Sequence, residues 1–236
     1  MNDKVVDDEV VLRRKTATLA RMLNLQGLIG MFGHVSVRVP GTDRVFISPG
    51  ASTEKSTVRP EDIFIFNVDG TIIEHPGGLV PLEWRIHTQI HRDRPDAMCI
   101  AHLHAPHATV LGIAGRDVVP VFLHGSFLYE GVPTWNNPRL VMNDEQAADL
   151  SRALGDKRVV QMRGHGSVVV GETAEATFFA CNFLEENAAK QLEAEILGGA
   201  IPLSPEEALD CANTTFVPRL LPLLWNYYER KVALPS

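Results

Sequence analysis

The sequence lacks any long run of lysine and arginine, any long apolar stretch, and all but three cysteines. Each absence removes a class of function. With 22 basic against 29 acidic residues the formal charge is −7, which opposes the basic face that nucleic acid requires. No apolar run approaches the roughly 20 residues of a membrane span. Met1-Asn2-Asp3-Lys4 opens an acidic start without an apolar signal core, so a soluble cytoplasmic protein is expected. Cys99, Cys181 and Cys211 are widely spaced; reduced, mostly buried thiols are expected in place of a disulfide framework. No Gly-x-Gly-x-x-Gly follows a strand-like run, which disfavours a Rossmann fold. Repeats and low-complexity linkers are absent as well.

What is present is an ordinary globular composition, 45% hydrophobic over 236 residues, enough for one sizeable core. We expect a single domain over 1–236, with a proline-bearing C-terminal arm from about 204 to 236. Helical periodicity runs from Asp8 to Gln26, Glu83 to Arg92, Asn143 to Leu154 and Glu175 to Leu197. Strands are expected at Val35–Val39, Arg44–Ile47, Ile63–Val68, Thr71–Ile73, Ala97–His104, Val118–Phe122, Val159–Met162 and Ser167–Val170. Asp69-Gly70 marks a hairpin. The alternation predicts an α/β fold, with helices on the faces of a largely antiparallel or mixed sheet.

The chemistry-bearing residues are histidines. His102 and His104 lie two apart in Ala-His-Leu-His-Ala-Pro, a spacing that puts both imidazoles on one face of a strand. His165, in Arg-Gly-His-Gly-Ser, precedes another apolar run. Three histidines at the ends of two strands, leaving one coordination position open, make a catalytic metal site. Glu83 stands at the start of a predicted helix, where it serves either as a dipole-favoured capping residue or as an acid/base near the metal. His87 and His91 follow at i+4 and i+8, near the same helix face, and read as structural or supporting residues.

Glu83-Trp84-Arg85-x-His87, Arg94-Pro95-Asp96-Ala97, His102-x-His104-Ala105 and Arg163-Gly164-His165-Gly166 occur in that order. Together they resemble the class II aldolase/adducin family over most of the chain. The resemblance implies a three-layer α/β/α domain assembled as a homotetramer with active sites at subunit interfaces. It further implies one divalent ion on His102, His104 and His165, with Glu83 as proton-handling residue. The metal is usually zinc; manganese, cobalt and iron also accept three nitrogens.

Departures from the sugar-phosphate enzymes of that family narrow the substrate. Where those enzymes carry Gly-Asn-x-Ser, Thr-Pro-x-Gly and a serine pair, this chain has Gly33-His34-Val35-Ser36, Ser48-Pro49-Gly50 and Pro81-Leu82. Each lost charged hydrogen bond costs about 1.5–3 kcal/mol, which disfavours a phosphorylated substrate. His34, with Ser48 and Gly50, is expected to bind substrate instead, with His34 donating to a carboxylate. The pattern resembles the branch of metal-dependent decarboxylases of hydroxy-aromatic or pyridine dicarboxylates, which work through a metal-stabilised enolate-like intermediate. Aldol cleavage of a non-phosphorylated hydroxy acid or sugar needs the same electron sink and is the alternative. A metal-free adducin-like interaction module is the non-enzymatic one. His124 is a second candidate acid, or a loop histidine. Arg163 either binds a substrate carboxylate or orients its loop.

Overall fold

The computed structural model describes residues 3–234. An eight-stranded sheet forms its middle layer, in the order β4-β3-β2-β1-β5-β8-β7-β6. The strands are β1 (His34–Arg38), β2 (Arg44–Ile47), β3 (Phe64–Asn67), β4 (Ile72–Glu74), β5 (Cys99–Leu103), β6 (Thr134–Trp135), β7 (Val159–Met162) and β8 (Gly166–Gly171). Every pairing is antiparallel except β6 with β7. Helices α1 (Asp3–Leu25), α2 (Trp84–Asp93), α3 (Pro106–Ile113), α4 (Asp144–Leu154), α5 (Ala174–Ile196), α6 (Pro205–Thr215) and α7 (Leu221–Glu229) complete the fold.

The period-2 pattern of the strands sorts side chains into two apolar layers. Val35, Val37, Ala101, Leu103 and Val169 pack with α1, α3, α5 and Trp225 of α7. Ile100, Val160, Val168 and Val170 face the opposite way, onto Ile86 and Ile90 of α2 and Leu150 and Leu154 of α4. The fold is thus the expected α/β/α arrangement around a mostly antiparallel sheet. Helix starts follow local chemistry: Asn143 accepts from the Gln146 N–H, Thr173 from that of Ala176, and Ser204 forms a capping box with Glu207. Among the described residues no helix is long and apolar enough to cross a membrane.

One sequence expectation fails, and one strand was not foreseen. Val118–Phe122 is not a strand. Its polar backbone is satisfied by amide side chains of α5: Gln191 accepts from Val119 N and donates to Asp117 O, while Asn187 accepts from Val121 N and donates to Val119 O. The apolar run is real, but helix side chains take the place of a neighbouring strand. Conversely, the edge strand at Thr134–Trp135 escapes notice because two residues carry no period. The tail from Ser204 folds into α6 and α7, and Phe178 of α5 meets Trp225 and Tyr228 edge-on.

Candidate metal and active site

Register builds the site. In the β1–β5 ladder His34 sits opposite His102, and in the β5–β8 ladder His102 sits opposite Val168. His104 lies just past the end of β5, its N–H donating 2.9 Å to Leu28 O. His165 occupies the tight β7–β8 turn, where its N–H reaches Met162 O at 3.0 Å. The turn closes against β5 because residue 166 is glycine: a Cβ there would stand 2.1 Å from Leu103 O. The three rings converge, with centroids 5.0 Å apart for His102–His104, 5.0 Å for His102–His165 and 5.4 Å for His104–His165.

Their nitrogens are held in reserve. Both ring nitrogens of His102, Nε2 of His104 and Nδ1 of His165 are buried without a hydrogen-bond partner. A fold seldom leaves such atoms bare, and one nitrogen from each ring falls within 4.8 Å of the others. The donor set therefore fits a divalent ion of the kind that imidazole binds. Glu83 caps the assembly. Its Oε1 accepts from Val141 N at 2.8 Å, while Oε2 stands 3.4 Å from Nε2 of both His102 and His165. The Oε2 approaches are electrostatic contacts, because the His102 Nε2 geometry does not make a hydrogen bond. Burial pushes the carboxyl pKa up, but the two imidazoles and the Val141 N–H outweigh it and hold Glu83 ionised. Glu83 also groups with His34 and His102 as a second possible donor set.

A chain of hydrogen bonds runs behind the site. His34 Nδ1 meets His87 Nε2 at 2.6 Å, His87 Nδ1 meets Ser36 Oγ at 2.7 Å, and Ser36 Oγ meets His91 Nε2 at 2.8 Å. It ends with His91 Nδ1 donating to Ala97 O at 2.7 Å. Burial, the first cause in each case, drives the pKa of His34 and His87 well below the usual imidazole value and that of His91 down to about 3. His104 falls to about 4 through burial and its two histidine neighbours. His87 and His91 looked merely supportive in the sequence, and Ser36 was not singled out. The signal was available, since His34 and Ser36 share a face of β1 and His87 and His91 are one turn apart on α2.

A cavity of about 520 Å³ opens in front of the histidines. His34, Glu83, His104 and His165 line its polar end, and Met31, Phe32, Leu79, Val80, Leu82 and Leu140 its apolar walls. Among the described residues no lysine or arginine lines it. Gly50 does line it, and a Cβ there would meet Leu79 O at 2.8 Å. Lys55, which the sequence analysis passed over, is buried with its Nζ on the Pro49 and Gly50 carbonyls, and desolvation lowers its pKa to about 8. It secures this loop from behind.

Ser48 is placed otherwise than expected. It is fully buried, with Oγ accepting from Val35 N at 3.0 Å, which ties β1 to the loop. Arg163 is exposed, its guanidinium turned to Asn136 Oδ1 and its backbone N–H to Trp135 O; the structure puts it in the loop-orienting position, outside the cavity. His124 stacks on Phe183 at 4.4 Å and does not line the cavity of its own protomer.

Comparison with known proteins bears on the family and the fold. The profile described as the Class II Aldolase and Adducin N-terminal domain matches residues 14–192. A 3,4-dihydroxyphthalate decarboxylase of Rhodococcus jostii is 30% identical over 197 residues, covering 78% of this chain and 81% of the relative. Alpha-adducin of Rattus norvegicus is 27% identical, covering 72% of this chain but 24% of the longer relative. Among solved structures, an L-fuculose 1-phosphate aldolase from Glaciozyma antarctica superposes with a TM-score of 0.83 at 22% identity, over 97% of this chain and 90% of the aldolase.

Proposed function

Because the chain belongs to the class II aldolase and adducin N-terminal domain family, we propose that it is a metal-dependent carbon–carbon lyase that decarboxylates a small hydroxy-aromatic or pyridine dicarboxylate. The observation carrying this reading is the composition of the cavity: His34, His104, His165 and the ionised Glu83 at one end, with the buried His102 completing the bare donor set, apolar walls around the rest, and, among the described residues, no cationic side chain for a phosphate. Apolar walls suit a ring better than a polyhydroxylated chain, whose hydroxyls would be left unpaired against them. The R. jostii relative acts, by its name, on such a ring.

A divalent ion on His102, His104 and His165 would supply positive charge next to the oxygen that takes up electrons when the carbon–carbon bond breaks. Glu83 handles the proton. As an ionised carboxylate with Oε1 fixed by Val141, it can accept a proton from the entering substrate through Oε2. It returns that proton to the ring carbon after carbon dioxide leaves, so the electron pair of the broken bond ends in a new C–H bond. The apolar walls lower the polarity around a bound ring, which strengthens each of these charge interactions.

A screen of hydroxylated phthalates and pyridine dicarboxylates with zinc-, manganese-, cobalt- and iron-loaded protein tests this. Carbon dioxide release supports the decarboxylase. Aldehyde release from hydroxy acids or sugars supports the aldolase alternative and overturns it. His102→Ala should abolish tight metal binding and turnover together while the protein remains folded. A chain that neither binds metal nor turns over any of these compounds is an adducin-like interaction module.

A further inference from the structure

We propose that His34 is a specificity-determining residue: a relay of fixed polarity holds its Nε2 bare, as a hydrogen-bond acceptor that selects a neutral hydroxyl on the substrate. The substrate class rests on the function proposed above; the relay does not.

The polarity follows from the one group in the relay with no choice. Ala97 O can only accept, so His91 carries its proton on Nδ1. A neutral imidazole has one N–H, so His91 Nε2 is an acceptor and Ser36 must donate to it. Ser36 has a single hydroxyl proton, which leaves its Oγ to accept from His87 Nδ1. His87 Nε2 is then bare, and the 2.6 Å contact requires His34 to donate from Nδ1. The hydrogen bonds thereby set all three imidazoles to the same tautomer, each protonated on Nδ1. His34 lines the cavity, and Nε2 is the ring nitrogen left for it.

A bare nitrogen repels a carboxylate and attracts a hydroxyl, so His34 does not donate to a carboxylate as its sequence position suggested. Ser36, His87 and His91 act on substrate only through His34; they are positioning residues. A hydroxylated ring satisfies the acceptor, whereas the same ring with its hydroxyl capped leaves the acceptor desolvated and unpaired, a loss of about tenfold in affinity.

Zinc-loaded protein labelled with nitrogen-15 histidine tests the relay by long-range proton–nitrogen correlation spectroscopy at neutral pH. His34, His87 and His91 should each show a protonated Nδ1 and a bare Nε2. A His34 protonated on Nε2 or on both nitrogens overturns the proposal, as does zinc shifting His34 Nε2 together with the His102 signals, which would make it a ligand. Catechol and 1,2-dimethoxybenzene, one skeleton with free and capped hydroxyls, are the probes for selection. Catechol should bind about tenfold more tightly and shift His34 Nε2, and Ser36→Ala should mix the tautomers and reduce the preference to less than about twofold. Equal binding of the two probes, or a preference untouched in Ser36→Ala, overturns it. A dicarboxylate screen that releases neither carbon dioxide nor aldehyde, with tautomers and preference as stated, sinks the lyase reading and leaves this one standing.

Discussion

Glu83 has two oxygens with separate duties, and that separation makes its substitution informative. Oε1 is engaged by the Val141 N–H and Oε2 faces His102 and His165. Glu83→Gln can keep the Val141 bond through its amide oxygen, so fold and metal content should survive, whereas the amide cannot shuttle a proton. Turnover should drop by roughly 10²–10⁴-fold with metal stoichiometry unchanged, read by steady-state kinetics beside metal analysis. A drop below tenfold would mean that another group moves the proton. The relay behind the site predicts acid sensitivity in the metal-free protein. In the unfolded chain an imidazole gains its proton near pH 6.5, whereas His91 stays neutral in the fold down to about 3. Throughout that interval the unfolded state binds more protons, so stability is lost as the pH falls from 6.5 toward 3. His91 alone accounts for about 2 kcal/mol by pH 5. Urea melts of chelated protein at pH 7, 6 and 5 check this, and a stability unchanged between 7 and 5 would refute it.

Gly166 shows how elements bring the ligands together. β8 begins against the end of β5 so closely that a methyl group on residue 166 would collide with Leu103 O and reach within 3.0 Å of the His104 ring. Gly166→Ala should therefore cost on the order of 2 kcal/mol of stability, measured by thermal melting. It should also weaken zinc binding at least several-fold, measured by competition with a chromogenic chelator, because two ligands flank the point of contact. At this scale the sequence was legible where side-chain period and helix caps coincide: β2 and β7 fall where their patterns place them, and α4 starts just after its Asn143 cap. It was not legible where the partner of a segment is distant in the chain. Val119 and Val121 read as strand because their side chains are apolar, yet Asn187 and Gln191, far along α5, decide where their backbone bonds go. The site divides in the same way. The convergence of His102, His104 and His165 was expected from two local motifs and the resemblance, whereas the His34–His87–Ser36–His91 chain depends on α2 lying across β1.

For the molecule as a whole, the described chain leaves large apolar side chains exposed that do not line the cavity. Ile196, Leu197 and Ile201 are 78%, 89% and 90% exposed around the end of α5, with Ile113 of α3, and Leu223 and Tyr227 of α7, also exposed. Exposed apolar side chains that sit together, as Ile196, Leu197 and Ile201 do along the chain, mark contact surfaces, and burying each such side chain contributes about 1.5–3 kcal/mol. We expect a homotetramer that covers them, as the family resemblance implies, with each active site near a subunit boundary. Light scattering on the metal-loaded protein should give four chains, and Leu197→Glu combined with Ile201→Glu should shift the population to smaller species. The same experiment bears on His124. It stacks on Phe183 away from its own cavity, so its imidazole can serve catalysis only at a neighbouring copy's site. If it does, the dissociated double variant loses turnover in step with His124→Ala in the intact assembly. If His124 only packs against α5, His124→Ala lowers the melting temperature and leaves kcat as it was.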